Sequence, residues 1–483
     1  MAGKSIKRNY IYNVLYEIFK IITPFITAPY LSRVLGADGI GTVSFAESIV
    51  SYFVLFATMG IAKYGQREIS YVQDDTKKRS IAFWNIKVLE CCTSFAVLIA
   101  YYFFAAHQEN QILYMILSFN IIAIFVDVTW FFQGMEEFGK IVVRNLIFKI
   151  SQILYVFVFV KSKEDIVIYA LGLALFVFFC DGSLWTYLPK YITKIKIKEL
   201  NPFKDLMAVF SLFIPSVAIQ VYTVLDKTMI GIITKSAFEN GYYEQAIKIS
   251  KIALQVVTAL GTVMVPRIGF LFNNKKYDDI RKYMYRSYNF VWFLGMPLCL
   301  GLMGIAETFV PWFYGDGYLG VIPLIQILSL LILAIGINNV TGVQLLIPTK
   351  RQNIFTITVV IGAVVNFIMN LLLIPRYQAA GAAIASVAAE SVIAIVQLVI
   401  VRDELSWWRI IKSSWKYLFS SGIMYVLIRL MSRIEVNEVL LTFVMVSCGA
   451  LVYFIMLIIL HDSFLMVFIK NICARIGYKK DNW

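Results

Sequence analysis

The sequence predicts an all-helical, multi-pass membrane protein of about fourteen transmembrane helices. Three observations predict it. Of 483 residues, 60% are hydrophobic and only 15% are charged, more apolar surface than a soluble chain can hide behind a wet exterior. The apolar content is concentrated in runs of roughly 20 residues, the length a helix needs to cross a hydrocarbon core of ~30 Å. The Lys and Arg residues fall in the gaps between those runs, alternately dense and sparse. Helices are expected rather than an open sheet because lipid offers no partner to an unpaired backbone amide.

In chain order the runs lie near 9–32, 40–62, 80–104, 112–133, 141–160, 166–189, 205–231, 241–264, 286–306, 321–347, 353–374, 381–401, 414–431 and 438–460. The 63–79 gap carries Lys63, Arg67, Lys77, Lys78 and Arg79, and the 190–204 gap carries Lys190, Lys194, Lys196, Lys198 and Lys204. The gaps at 105–111 and 307–320 hold no Lys or Arg. An even number of spans in the cytoplasmic (inner) membrane, with both termini in the cytoplasm, satisfies this asymmetry. The first run follows Lys4, Lys7 and Arg8 in the manner of a signal peptide. It contains Glu17 and Lys20 and continues past Pro24 and Pro29, unlike a plain apolar segment, so it is expected to remain as helix 1.

The net charge of +14 does not mark a nucleic-acid binder, because the basic residues follow membrane topology and form no continuous face. The six cysteines show neither a disulfide framework nor metal spacing. With only His107 and His461, histidine-based metal or acid–base chemistry has little to work with. No metal is expected.

A faint repeat recurs at an offset near 200 residues. Helix 2 opens with Gly39 and Gly41, and the run at 241–264 opens with Gly241; each ends before a basic segment. The expected organisation is an N-lobe at 1–200 (spans 1–6), a C-lobe at 201–402 (spans 7–12) and a helix pair with a basic tail at 403–483. Internal repeats of this kind are common in transporters, with the site between halves.

Ionisable residues at membrane depth usually face a bundle interior or a wet cavity. In helix 1, Asn13, Glu17, Lys20, Pro24 and Thr27 recur at steps of three and four, so they share a face. Glu244, Lys248, Lys251, Gln255, Thr258 and Thr262 do the same at 241–264, as do Ser216, Gln220, Thr223 and Lys227 at 205–231. Helix 2 adds Ser44, Glu47, Ser51 and Thr58. These stripes suggest a hydrophilic cavity lined by helices 1, 2, 7 and 8. The bland alternative is internal pairing, which is favoured for the isolated Lys87/Glu90 pair. The 241–264 stripe favours the cavity, because Lys248 and Lys251 share only Glu244 as a local acid. Spare cations in a cavity suit an anionic ligand such as a phosphate, with lysine acting as a point charge. Asp127, Asp181, Asp226 and Glu390 are further acids at membrane depth, each able to bind a coupling proton or Na⁺.

At this point the chain resembles the Wzx-type polysaccharide (O-antigen or capsule) repeat-unit flippases of the multidrug/oligosaccharidyl-lipid/polysaccharide exporter superfamily. The resemblance rests on Pro29-Tyr30-Leu31-Ser32-Arg33-Val34-Leu35-Gly36, on Phe131-Phe132-Gln133-Gly134, on Leu225-Asp226-Lys227-Thr228-Met229-Ile230-Gly231 with Gly241-Tyr242-Tyr243, and on Asn366, Asn370 and Gly381-Ala382-Ala383-Ile384-Ala385. It implies two six-helix lobes with alternating access and an undecaprenyl-pyrophosphate-linked oligosaccharide as cargo. It also implies drive by an H⁺ or Na⁺ gradient, with no cofactor; the chain carries no nucleotide-phosphate loop. Lys20, Lys227, Lys248 and Lys251 are then expected to meet the pyrophosphate. Glu17, Glu47, Asp127, Asp226, Glu244 and Gln255 are the polar or coupling candidates. Expected partners are the lipid-linked oligosaccharide, the bilayer and other polysaccharide assembly proteins, with no nucleic acid.

Two rivals stand beside this. A multidrug exporter of the same fold binds cationic drugs and wants an acidic cavity, against the excess lysines. A membrane polymerase or glycosyltransferase needs a catalytic acid or base on a sizeable loop. The pairs Asp74-Asp75 and Asp278-Asp279 lie in basic inner segments and read as solvated charge. The chain is therefore not expected to be an enzyme.

Overall fold

Each apolar run is helical in the computed structural model. Residues 6–467 are described, and for 6–18, 20–21, 214–216, 218–219 and 221–222 only the backbone course is. The side chains of Glu17 and Lys20 and the C-terminal Lys470, Arg475, Lys479 and Lys480 thus lie outside the described part. No strand occurs among the described residues. The protein is all-α and polytopic. Among the described residues, ten helical stretches are long and apolar enough to cross a bilayer, and Gln352–Ile400 among them holds two of the predicted runs. Large apolar side chains such as Phe103, Ile112, Leu372 and Phe443 point outward, an arrangement that lipid rewards and water does not.

The described chain divides into two compact units, Met1–Glu244 and Gln245–Trp483. The lobes read from the repeat are bounded differently and remain a proposal.

In the first unit, α1 (Ile6–Thr58) contains the first two runs, which turn at Gly36. Its φ of 69° and ψ of 174° fall in a region open to essentially no residue but glycine. The amphipathic α2 (Ile61–Tyr71) buries Ile61, Tyr64, Gly65 and Ile69. Next comes α3 (Thr76–Ala105), whose first turn is capped by Asp75 accepting Lys78 N at 3.0 Å. That backbone donor holds the Asp75 carboxyl below its usual range. Asp75 therefore has a structural task.

The fourth run is three pieces: α4 (Gln111–Leu117), α5 (Phe119–Val126) and α6 (Thr129–Gly134). At its main break Asp127 is extended, and its carboxylate accepts Thr129 N at 2.8 Å. Breaking a helix in lipid frees carbonyls that need donors. Lys87 Nζ supplies them to Ile124 O (2.8 Å) and Asp127 O (2.7 Å), and Trp185 Nε1 to Val126 O (2.7 Å). Then follow α7 (Phe138–Phe159), α8 (Ile166–Ser183), α9 (Leu206–Thr234) and α10 (Ala237–Thr258), which runs through the unit boundary.

The closest packing in this unit is between the starts of the second half of α1 and of α10. A Cβ on Gly41 would stand 1.7 Å from Ala237 O, and one on Gly241 would stand 2.0 Å from Ala37 O. Ala37/Gly41 and Ala237/Gly241 are two small-x-x-x-small pairs, which let helix backbones touch. They face each other reciprocally, at the offset of the sequence repeat.

The second unit comprises α11 (Leu260–Asn273), α12 (Tyr277–Tyr314), α13 (Val321–Leu328), α14 (Leu331–Asn338), α15 (Gln352–Ile400), α16 (Trp407–Ser413), α17 (Trp415–Met431) and α18 (Glu438–Ile459). Asp278 and Asp279 sit in the first turn of α12, each within ion-pair reach of a base three residues on, Arg281 (3.9 Å) and Lys282 (3.6 Å). A π-helical segment, Asn339–Leu346, follows α14, and α15 turns at Gln378 (φ 52°, ψ −131°). The last two helices pack on α12: Met424, Ile428, Met445, Tyr453 and Leu457 share a core with Trp292 and Phe293. Tyr453 Oη also donates to Phe293 O at 2.7 Å.

The glycine crossing yields a prediction. Gly41→Ala should lower folded-state stability by about 1–3 kcal/mol, because the added methyl meets backbone that cannot move aside. Gly422→Ala, where a Cβ meets nothing within 4 Å, should have little effect. Thermal unfolding of the detergent-solubilised variants compares them; equal midpoints would refute the crossing.

Candidate functional site

Within the first unit, three helices meet around a buried polar network. Ser44, Ser48 and Tyr52 recur every fourth residue along α1, so they share a face. That face meets Asp226, Lys227 and Thr228 of α9 and Tyr243 and Glu244 of α10. Glu244 Oε2 accepts from Ser44 Oγ at 3.1 Å and forms an ion pair with Lys227 Nζ. Thr228 Oγ1 lies 3.0 Å from Ser48 Oγ and 3.2 Å from Tyr52 Oη. Tyr243 Oη donates to the Asp226 carboxylate. The Asn240 amide also bridges a turn of α9, donating to Lys227 O (2.9 Å) and accepting from Gly231 N (3.0 Å). Asp226, Thr228, Asn240, Tyr243 and Glu244 are all buried, where an unpaired charge is costly.

Of the residues singled out by sequence, this network gathers Lys227, Asp226 and Glu244, together with Ser44 of the helix 2 stripe. Glu47 is half-buried on α1, one turn from Ser44. Lys227 has a carboxylate partner, so its charge is shared. Farther along α10, in the second unit, Lys248 is half-buried and Lys251 and Gln255 are exposed. Asp127 lies elsewhere, at the break in the fourth run. Tyr52 and Asn240 were not singled out, and Tyr243 entered only as part of a motif. Ring hydroxyls and amides at the apolar edge of a stripe carry no periodic signal until the neighbouring helix is placed.

A second polar set lies in the second unit, and of its members the sequence reading had named only Glu390. Asn338 Nδ2 donates to Glu390 O at 3.1 Å and also to the Glu390 carboxylate. Tyr288 Oη and Thr341 Oγ1 lie 2.6 Å apart, and Gln397 Nε2 donates to Thr358 Oγ1 at 3.0 Å. Asn338, next to Asn339, and Gln397 interrupt apolar runs, a signal that could have found them. Among the described residues, no three of His, Cys, Asp and Glu gather as metal ligands.

The ion pair and hydrogen bonds of the first-unit network tie adjacent helices together. The family model described as "Polysaccharide biosynthesis protein" matches residues 6–272, more than half of the chain. The chain belongs to this family.

The polysaccharide biosynthesis family match covers α1 to α10 and most of α11. A relative in Escherichia coli (strain K12), called "Putative O-antigen transporter", is 24% identical over 422 residues, covering 83% of this chain and 97% of that protein. Among solved structures, the lipid II flippase MurJ in an inward closed conformation aligns with a TM-score of 0.74 at 16% identity, over 94% of this chain and 100% of that one. An inward-facing multidrug resistance MATE family transporter of the MOP superfamily aligns with a TM-score of 0.57 at 12% identity, over 81% and 98%. At such identities the structural likeness shows the fold. The family and these relatives are transporters and flippases rather than enzymes.

The Lys227–Glu244 pair should be thermodynamically coupled. A double-mutant cycle with Lys227→Met and Glu244→Gln should give a coupling energy of about 0.5–3 kcal/mol in chemical unfolding. Strict additivity would mean that the two side chains do not interact in the folded protein.

Proposed function

We propose that this protein is a flippase that carries an undecaprenyl-pyrophosphate-linked oligosaccharide repeat unit across the cytoplasmic membrane. Its termini lie in the cytoplasm, and it works by alternating access driven by a proton or Na⁺ gradient. The relatives named as O-antigen transporter and lipid II flippase support the class of cargo. The observation that carries the reading is the cationic face of α10, where Lys251 is exposed and Lys248 half-buried. A multiply charged head group can exchange its water for such ammonium groups, each acting as a compact point charge. Lys20 and Lys227 are assigned supporting places, Lys227 through exchange of its Glu244 partner. Glu17, Glu47, Asp127, Asp226, Glu244 and Gln255 remain the candidates for polar contact or ion coupling.

The same fold serves multidrug exporters, and charge separates the two readings. Cationic drugs would be repelled by the face that attracts a pyrophosphate. Proteoliposomes containing a fluorescent polyprenyl-pyrophosphate oligosaccharide, under an imposed pH or Na⁺ gradient, test this. Gradient-dependent arrival of the lipid on the far leaflet is expected. Efflux of a cationic dye without movement of any lipid-linked sugar would overturn the substrate assignment.

A hydrogen bond to a charged group contributes about 1.5–3 kcal/mol, so Lys248→Ala should lower transport roughly tenfold or more, and the Lys248→Ala/Lys251→Ala double variant further. Lys→Arg at both positions should retain most transport, because charge rather than shape is selected. Expression and melting temperature should stay near wild type. Normal transport by the double alanine variant would sink the head-group assignment.

A further inference from the structure

Between α15 and the last two helices, α16 (Trp407–Ser413) lays about two turns of helix on the surface of the second unit. Its side chains fall on three sides. Trp407, Trp408 and Ile411 are 53%, 64% and 47% exposed, and helical geometry places them within an arc of about 100°. Arg409 and Lys412, both exposed, take the next arc. Ile410 is buried and faces the protein. The apolar side continues past the helix, because Trp415, Leu418 and Phe419 are exposed at the start of α17. It therefore merges with the outer surface of a predicted span.

The packed side is fixed to α12. Trp292 Nε1 donates to Ile410 O at 3.1 Å, and Ser406 N, at the N-cap, donates to Tyr285 Oη at 2.9 Å. The Arg409 guanidinium lies 4.3 Å from the centroid of the Tyr285 ring. A guanidinium resting on an aromatic face keeps its N–H edge for a second partner. It is also less strongly hydrated than an ammonium, so a phosphate can replace its water. Neighbouring cations are already engaged. Arg351 grips the Glu404 carboxylate, Arg402 lies 3.8 Å from Asp403, and Lys416 Nζ donates to Leu460 O (2.8 Å) and His461 O (3.0 Å) at the end of α18. Among the described residues, Arg409 and Lys412 have no carboxylate within ion-pair distance.

Tryptophan settles at the boundary between acyl chains and head groups, where the indole has apolar contact and its N–H has acceptors. Lipid phosphates lie at that same boundary, and basic side chains held there attract anionic lipids. We propose that α16 is a binding site for an anionic phospholipid. Trp407, Trp408 and Ile411 sit at the acyl–head-group boundary, and Arg409 and Lys412 meet the phosphate. A protein partner fits less well, because the apolar side has no border where it meets the span. α17 begins with one residue between it and α16, so a lipid held here also fixes the start of the last helix pair. That the leaflet is the cytoplasmic one rests on the topology proposed above; the lipid site itself does not.

Nanodiscs containing the full-length protein, phosphatidylcholine and phosphatidylglycerol test this without cargo. With bromine carried on the acyl chains of one lipid or the other, tryptophan emission should be quenched more by brominated phosphatidylglycerol. Trp407→Phe/Trp408→Phe should remove most of that excess. Arg409→Gln and Lys412→Gln should each lower the phosphatidylglycerol-to-phosphatidylcholine ratio retained in native mass spectrometry about fivefold. Arg409→Lys and Lys412→Arg, which keep the charge, should retain most of it. Arg402→Gln removes a charge already beside Asp403 and should change little; an equal drop there would assign the preference to overall charge and overturn the site. Equal quenching by the two lipids in wild type would also overturn it. So would an unchanged lipid ratio in Arg409→Gln/Lys412→Gln with a wild-type melting temperature. Displacement of the lipid by millimolar inorganic phosphate would assign a free anion instead. None of these readouts depends on transport, so failure to move lipid-linked sugar would leave them standing.

Discussion

The crossing of Ala37/Gly41 with Ala237/Gly241 is the constraint on which the first unit depends. Both glycines leave space for a carbonyl oxygen and nothing else. Lipid gives helices no hydrophobic reason to associate, so close backbone packing must supply the attraction. Once these two helix starts touch, Ser44 one turn on from Gly41 is brought to Glu244, and Thr228 to Ser48 and Tyr52. The polar network is therefore a consequence of the crossing. Without it the same side chains would belong to separate amphipathic helices.

Charge inside the membrane region follows a common logic. Lys227 is matched to Glu244, Lys87 to Glu90, and Arg144 to Asp181. These partners come from different helices in two of the three cases, so the pairs specify arrangement as well as neutralise charge. On α10, Lys251 is exposed.

Interruptions of helices are the other recurring device. The turn at Gly36 joins two spans with almost no loop. The break at Asp127 is stabilised by Lys87 and Trp185, which take over carbonyls that the helix itself would have used. The π segment at Asn339–Leu346 lies beside the Asn338–Glu390 contact, in a part of the second unit rich in buried amides. At each place a polar side chain or a glycine meets a backbone demand that lipid cannot meet.

Much of this was legible in the amino-acid order. Apolar runs of membrane length, with basic gaps between, determined that the chain is helical and multi-pass, because burial and topology depend on local composition. The Gly41/Gly241 offset and the stripes on helices 2, 7 and 8 were visible for the same reason: helical periodicity is a local property. What the tertiary structure decided is which stripe meets which. Sequence spacing offered Lys248 as a neighbour of Glu244, four residues along one helix; that Lys227 reaches Glu244 from another helix could come only from the fold. Asp127 read as a lone acid until the break in the fourth run gave its carboxylate the Thr129 amide as a donor. Periodicity tells which residues share a face, but it carries no record of the face opposite, and the cost of a buried charge is set by that opposite face.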